Sequence, residues 1–262
     1  MKVVLFCGGL GLRIREVDQL LPKPMIPIGP RPILWHIMKY YSSFGFDEFV
    51  LCLGYRGEAI KEYFLGYNEA LSNDFVLRNG GRDVQLLTRD AHDWSITFVN
   101  TGLNSTIGER LEAVREHVDG EVFLATYGDG LTDAPMNEMV ATLEAGDKSA
   151  LFMCVRPGHQ FHIVSFDDEA ITGIRAAADA GLWLNGGFFV FRPDVFDYLR
   201  KGEDLVPDAL NRMIAEDRVV PYMYDGFWAP MDTLKDKQML DGLYEDGEPP
   251  WYRPRGLDGA SA

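Results

Sequence analysis

Cys7-Gly8-Gly9-Leu10-Gly11-Leu12-Arg13 follows an apolar run, Val3-Val4-Leu5-Phe6, and Pro22-Lys23-Pro24-Met25 comes a short way further on. Glycines at positions 8, 9 and 11 let the backbone turn sharply and bring its N–H groups close to an anion. Arg13 and Lys23 add two positive charges to a loop already shaped for phosphates. The prolines on either side of Lys23 restrict the backbone that aims its ammonium. This combination points to the holding of a polyphosphate, such as a nucleotide. Two other glycine loops do not fit. A dinucleotide-binding turn needs Gly-x-Gly-x-x-Gly and an acid at the end of the next strand, but position 14 is Ile and that strand ends in Gly54-Tyr55. A Walker A loop needs Gly-Lys-Ser/Thr after its second glycine, which is absent.

Two carboxylates extend the chemistry. Asp129 follows a strand-like run and sits between Gly128 and Gly130, and Asp232 lies in Pro230-Met231-Asp232-Thr233 ahead of a helical stretch. Taken singly, Asp129 reads as a turn aspartate and Asp232 as part of a helix N-cap with Thr233. Brought together at a phosphate pocket, they would suit Mg²⁺, which takes one or two carboxylates plus substrate phosphates.

These residues need a frame that converges them. Strands are expected at Val3–Cys7, Glu48–Leu53, Ile96–Asn100, Glu121–Tyr127 and Ala150–Val155. They alternate with helices at Pro32–Gly45, Gly57–Leu65, Ile107–Val118 and Pro135–Glu144. Such alternation implies an α/β fold, a Rossmann-like, mostly parallel sheet with helices on both faces. Residues 67–95 break the rhythm as an irregular excursion. After Pro157 short strands at Phe161–Phe166, Ile171–Ile174 and Leu182–Phe191 imply a small antiparallel patch. Helices at Asp194–Arg200, Asp208–Glu216 and Thr233–Tyr244 and a strand at Val219–Tyr224 follow, and the segment from Gly247 is expected to lie along the surface. The glycine loop, Gly54-Tyr55 and Gly128-Asp129 all fall at strand C-terminal ends, where open α/β sheets bind ligands.

Composition narrows the class. The 262 residues are 47 % hydrophobic and 25 % charged, an ordinary globular balance with enough apolar residues for a substantial core. One domain is expected over residues 1–252. Its nucleotide-binding part is 1–156, its acceptor-binding and C-terminal part 157–246, and 253–262 is a tail. A net charge of −15 argues against nucleic-acid or anionic-membrane binding. Cys7, Cys52 and Cys154 are far apart in apolar runs and read as core residues of a reduced compartment. No leader pattern or membrane-length apolar run is seen, so the expected location is cytoplasmic. His36, His92 and His117 read as structural, and Trp94, Trp183 and Trp228 as core or interface.

With these residues in place, the chain resembles the sugar-phosphate nucleotidyltransferases, and most closely their glucose-1-phosphate-using cytidylyltransferase branch. The likeness runs in order through Arg31-Pro-Ile-Leu-Trp-His-Ile-Met-Lys39, Gly54-Tyr-Arg-Gly57, Ile60-Lys-Glu-Tyr-Phe64 and Asn100-Thr-Gly-Leu-Asn-Ser105. It continues through Thr126-Tyr-Gly-Asp-Gly130, Asn185-Gly-Gly-Phe-Phe-Val190, Asp225-Gly-Phe-Trp228 and Met231-Asp-Thr233. The resemblance implies a glycosyltransferase-A-like fold. It also implies coupling of a sugar 1-phosphate, glucose 1-phosphate or a modified relative, to a nucleoside triphosphate, foremost CTP, with release of pyrophosphate. It implies Mg²⁺ as cofactor on Asp129 and Asp232, Arg13 and Lys23 as catalytic residues, and a homo-oligomer. At the nucleotide it places Cys7, Gly8, Gly9, Gly11 and Leu12 of the loop. Gly54, Tyr55, Thr101 and Gly102 border the base, and Arg110 and Gly128 complete that half, Arg110 as a triphosphate contact. At the acceptor it places Tyr127, His162, Arg175, Asn185 and Gly186.

The acceptor half departs from the family pattern. A Glu-Lys-Pro element, whose lysine meets the sugar phosphate, is replaced by Ile174-Arg175-Ala176-Ala177-Ala178, with Ala177 at the lysine position. Arg-Tyr-Gly is replaced by Gln160-Phe161-His162, and the Thr or Ser after Gly11 by Leu12. Arg175 or His162 is expected to compensate. The departures leave open a phosphonate or cyclitol phosphate as acceptor, or a non-catalytic nucleotide-binding homologue.

Overall fold

The computed structural model describes residues 1–9, 21–71, 73–87, 94–158, 162–253 and 255. The chain begins with β1 (Lys2–Phe6), then a 3₁₀ turn at Lys23–Met25, the short pair β2 (Pro27–Ile28) and β3 (Arg31–Pro32), and α1 (Ile33–Ser42). Next come β4 (Glu48–Leu53), α2 (Gly57–Leu65), a hairpin of β5 (Phe75–Arg78) and β6 (Asp83–Leu86), and β7 (Ser95–Asn100). α3 (Ile107–Ala113), β8 (Phe123–Tyr127), β9 (Gly130–Thr132), α4 (Met136–Glu144) and β10 (Ala150–Val155) complete the alternating portion. The rest holds β11 (His162–Asp167), β12 (Ala170–Ala176), β13 (Leu184–Phe191), α5 (Leu210–Ala215), β14 (Val219–Tyr224), β15 (Trp228–Pro230) and α6 (Leu234–Glu245).

Seven strands share one sheet in the order β14-β10-β13-β8-β1-β4-β7. β1 is parallel to β4 and β8, β4 to β7, and β10 to β14. β13 runs against both its neighbours, β10 and β8. The expected α/β class, a mostly parallel sheet with a small antiparallel patch, is therefore observed, with one correction. Leu182–Phe191, expected in the patch, supplies an inner strand of the main sheet as β13, and the patch is the β11–β12 hairpin alone. With the other strands aligned, the C-terminal ends of β1, β4, β7, β8, β10 and β14 meet the N-terminal end of β13 along one edge.

Period-two alternation explains why both faces are covered. In β1, Val3 and Leu5, with Cys7 just beyond it, enter the core that holds α1 and α4, whereas Val4 and Phe6 enter the core that holds α3 and α5. β4 divides likewise, with Phe49, Leu51 and Leu53 on the first face and Val50 and Cys52 on the second. All three cysteines are buried and unpaired.

The local differences have local causes. Residues 67–95, expected to be irregular, contain the β5–β6 hairpin. Asn79-Gly80-Gly81 supplies three successive left-handed residues, with φ of 52°, 65° and 92°, that reverse the chain. The helix expected over Ile107–Val118 breaks at Val114 (φ −105°, ψ 6°) and resumes as a 3₁₀ turn at Arg115–His117. Asp194–Arg200 forms a 3₁₀ segment, Pro193–Tyr198, rather than an α-helix.

The segment after Gly247 is anchored rather than laid along the surface. Trp251 is fully buried. Its Nε1 donates to Nδ1 of His36 at 3.3 Å, the Tyr252 hydroxyl lies 2.9 Å from the same nitrogen, and His36 Nε2 is 2.9 Å from the Ile28 carbonyl. This arrangement suits a neutral imidazole that donates to Ile28 and accepts from the two aromatics. Burial is the main reason its pKa falls from 6.5 to about 4. The unfolded chain then binds the extra proton, so this stability is complete above pH 6.5 and is lost as pH falls toward about 4. The expected loss is about 3 kcal/mol. Urea unfolding at pH 7 and pH 4.5 checks it; a His36→Gln variant with the same acid slope as wild type would refute the assignment. Trp251→Ala is expected to cost about 3–5 kcal/mol in the same measurement at pH 7.

Candidate active site

The charged centre forms where three backbone segments end. Lys23 opens the 3₁₀ turn, held between Pro22 at its N-cap and a buried Pro24. Asp129 lies in the turn between β8 and β9. Asp232 follows β15, which pairs with β9 through Trp228 opposite Thr132, and the Met231 N–H donates to the Asp129 carbonyl at 2.8 Å. Lys23 Nζ thereby stands 2.5 Å from Asp129 Oδ2 and 2.7 Å from Asp232 Oδ1. The lysine side chain is 12 % exposed and the two carboxylates about a third. Burial works against the ammonium charge, but Asp129 and then Asp232 outweigh it and hold the pKa above the ordinary 10.5. Asp232 is not the N-cap of α6. Thr233 and Asp236 form a capping box there, leaving the Asp232 carboxylate to face Lys23.

Asp129 and Asp232 thus bracket a single positive charge with oxygen donors, which is the donor chemistry of a hard divalent cation. Among the described residues no group of three or more His, Cys, Asp or Glu gathers for a metal. Two carboxylates completed by phosphate oxygens and water fit Mg²⁺, and the residues present are compatible with it.

Beside this centre, Gly8 and Gly9 leave β1. Gly11, Leu12 and Arg13 lie outside the described residues. Cys7 is buried; its N–H donates to the Cys52 carbonyl at 3.0 Å, and the Tyr55 N–H reaches the Gly8 carbonyl at 3.4 Å. Burial raises the Cys7 thiol well above its usual range, so it contributes backbone and packing rather than a thiolate. Gly128 passes under the same loop, its N–H donating to the Phe6 carbonyl at 3.2 Å.

Arg110, expected as a triphosphate contact, is 3 % exposed and bonds the protein through both terminal nitrogens. Nη1 reaches the Leu53 carbonyl at 3.3 Å, Thr101 Oγ1 at 2.7 Å and the Gly102 carbonyl at 2.9 Å; Nη2 reaches the Gly8 carbonyl at 3.2 Å and the Leu103 carbonyl at 3.3 Å. It ties the glycine loop to Gly54, Thr101 and Gly102, the residues expected to border the base. This clasp is why Gly8 and Gly54 must lack side chains. A Cβ on Gly8 would stand 2.0 Å from Arg110 Nη1, and one on Gly54 2.7 Å from the Gly8 carbonyl. Among the described residues no carboxylate forms an ion pair with Arg110. Its charge is met by carbonyl dipoles and the Thr101 hydroxyl, so a positive charge stays beneath Gly8.

On the acceptor side the structure brings Tyr127, Asn185 and Gly186 together. The Tyr127 hydroxyl bonds Asn185, whose Oδ1 accepts from the Gly187 N–H at 2.9 Å. Burial, with Asp204 and Asp129 nearby, pushes Tyr127 up to about 12. The Gly186 carbonyl accepts from Trp228 Nε1 at 2.8 Å, a contact the reading of Trp228 as core or interface missed. The signal was available in Gly226-Phe227-Trp228, which stands just ahead of Met231-Asp232. His162 and Arg175 sit exposed on the β11–β12 hairpin, opposite Ala176 and Ile163. Among the described residues no hydrogen bond or ion pair ties either to Tyr127 or Asn185. Ala177 is buried at the start of a 3₁₀ turn.

A lysine bracketed by two carboxylates, beside the glycines that leave β1, lies at one edge of a mostly parallel α/β sheet. The sequence profile of the Nucleotidyl transferase family matches residues 2–239, and the chain belongs to that family. It is 37 % identical over 254 residues to the Glucose-1-phosphate cytidylyltransferase of Salmonella typhi, covering 96 % of this chain and 98 % of the relative. It is 36 % identical over 253 residues to the Probable glucose-1-phosphate cytidylyltransferase of Bacillus subtilis, covering 96 % and 99 %. Among solved structures, UDP-glucose pyrophosphorylase from Acinetobacter baumanii shares the fold with a TM-score of 0.69 at 18 % identity, covering 99 % of this chain and 94 % of that one. No helix among the described residues is long and apolar enough to cross a membrane.

Replacing Arg110 by Met leaves buried carbonyls at Gly8, Leu53 and Gly102 short of donors. The expected loss is about 3 kcal/mol in urea unfolding, with Arg110→Lys failing to restore it because one ammonium cannot span the same acceptors. Wild-type stability in Arg110→Met would show that the clasp is dispensable.

Proposed function

We propose that this chain joins a sugar 1-phosphate to CTP, giving a CDP-sugar and pyrophosphate, with glucose 1-phosphate as acceptor and Mg²⁺ as cofactor. Full-length kinship to enzymes named for this reaction supports the substrates, and it favours catalysis on a sugar phosphate over a phosphonate, a cyclitol phosphate or a non-catalytic role. The observation that carries the chemistry is Lys23 held between Asp129 and Asp232.

The nucleophile needs no protein base, because a phosphate monoester's second pKa is about 6 and its oxygen is already anionic at neutral pH. That oxygen attacks the α-phosphorus of CTP, the bond to the β-phosphate oxygen breaks, and pyrophosphate carries the electron pair away. The protein's task is alignment and charge neutralisation. Glycine-loop amides and Arg13 receive the triphosphate. Arg110 holds that loop against Gly54 and Thr101, and Lys23 presents its ammonium to the reacting phosphates. Mg²⁺ on Asp129 and Asp232 would neutralise the charge of the phosphate oxygens. Tyr127 and Asn185 border the acceptor.

Full chain, Mg²⁺, glucose 1-phosphate and each of five nucleoside triphosphates, followed by pyrophosphate release, test the reading. Turnover is expected with CTP first. Asp129→Asn is expected to lose at least a hundredfold in kcat, and full activity in it would remove the metal assignment. The exposed Leu65, Leu71, Leu77 and Val84 on and beside the β5–β6 hairpin offer a surface for the homo-oligomer that the kinship implies. Sedimentation velocity checks it, and a monomer at assay concentration would exclude it.

A further inference from the structure

At the ends of β10 and β14 lies a cleft of about 370 Å³ lined by Arg156, Asp179, Asp225 and Trp228 among others. Its size falls within the roughly 300–1,000 Å³ usual for small-molecule sites. Arg156, the residue after β10, stacks over Trp183 with its guanidinium carbon 3.9 Å from the ring centroid. Its Nε stands 3.7 Å from Asp225 Oδ1, too far for a hydrogen bond, and its side chain is 41 % exposed. Among the described residues the guanidinium donates no hydrogen bond. A planar cation fixed on an indole face beside a carboxylate is organised in advance for a ligand.

The cleft belongs to the acceptor side. Trp228, on its wall, holds the Gly186 carbonyl, and Asp179 comes from the turn Ala177–Ala180, the stretch where relatives would carry the acceptor lysine. β10 is two strands from β8 in the sheet. Val155 pairs with Leu184 whereas Thr126 pairs with Phe188, so Arg156 stands two strands across and about four residues along from the end of β8, roughly 15 Å between backbones and less by the reach of the arginine side chain. At that distance a group meets not the reacting phosphate but the far side of a monosaccharide attached to it. The charges select further. Two carboxylates beside one guanidinium disfavour a second anion. A sugar hydroxyl can donate to a carboxylate and accept from a guanidinium at once, while Trp228 lines the cleft with an indole and Trp183 fixes the guanidinium.

We propose that Arg156 and Asp225 clamp adjacent hydroxyls on the distal edge of the acceptor's sugar ring, making Arg156 a specificity residue of this chain. The inference rests on the sugar-phosphate reading above. It also relocates the compensating cation: the exposed Arg175 and His162 do not supply it, and it grips the ring in place of the phosphate.

The test is calorimetric titration of the full wild-type chain, Arg156→Met and Trp183→Leu with glucose 1-phosphate and, separately, with inorganic phosphate. It is coupled to the KM for CTP in the pyrophosphate assay. The expected result is a ten- to hundredfold weaker glucose 1-phosphate in Arg156→Met, a smaller loss in Trp183→Leu, and unchanged inorganic phosphate affinity and KM for CTP. Equal glucose 1-phosphate affinity in wild type and Arg156→Met overturns the clamp and leaves the reaction standing. Parallel loss of inorganic phosphate makes Arg156 a phosphate ligand and also overturns it. So does a wild-type preference for glucose 1,6-bisphosphate that Arg156→Met abolishes, which would mark an anion site. A wild-type chain that binds glucose 1-phosphate without turning over any nucleoside triphosphate removes the reaction and leaves the clamp.

Discussion

Everything at the site edge depends on one ammonium group between two carboxylates. Lys23, Asp129 and Asp232 come from the start, middle and end of the chain, and like charges at Asp129 and Asp232 would repel without a cation between them. The β9–β15 pair exists to deliver the second carboxylate, since its short ladder joins the two segments that carry Asp129 and Asp232. The prolines around Lys23 serve the same end from the other side. The charged centre is therefore a property of tertiary structure, and loosening any of the three segments would open it.

Arg110 is the counterpart of this centre, and the contrast is instructive. Lys23 is a cation matched by acids; Arg110 is a cation matched by carbonyl oxygens and the Thr101 hydroxyl. The first arrangement leaves a junction of one net negative charge, and the second places a positive charge beneath Gly8 while spending its hydrogen bonds on shape. A net charge of −15 would repel a nucleoside triphosphate at long range. The buried Arg110 charge is a local exception to that acidic balance.

The alternating half of the chain was legible because its strands are uniformly apolar and its helices keep one face: Glu48–Leu53, Gly57–Leu65 and Ala150–Val155 are found where periodicity places them. The pairing of Asp129 with Asp232 was legible from their glycine and proline surroundings. What could not be read were features set by partners distant in sequence. Leu184–Phe191 has the same apolar pattern whether it joins a patch or the main sheet, and only its neighbours β8 and β10 decide. Arg110 looks like any arginine on a helix until the carbonyls of Gly8 and Gly102 are placed around it. Trp251 follows two prolines in a polar tail, and nothing in that stretch announces the pocket made by His36.

The reversed direction of β13 has a consequence for how such a protein can change. The chain leaves the sheet after Val155 and re-enters it at Leu184, and these two residues are paired across the β10–β13 ladder. The intervening hairpin is thus a closed excursion, stapled at its base, that enters and exits by one doorway. Its length and sequence can drift without shifting the register of any strand in the alternating half of the chain. The stretch that carries Arg156, Arg175 and Asp179 is in this sense a detachable attachment, free to be exchanged while the sheet that holds Lys23, Asp129 and Asp232 in place stays as it is.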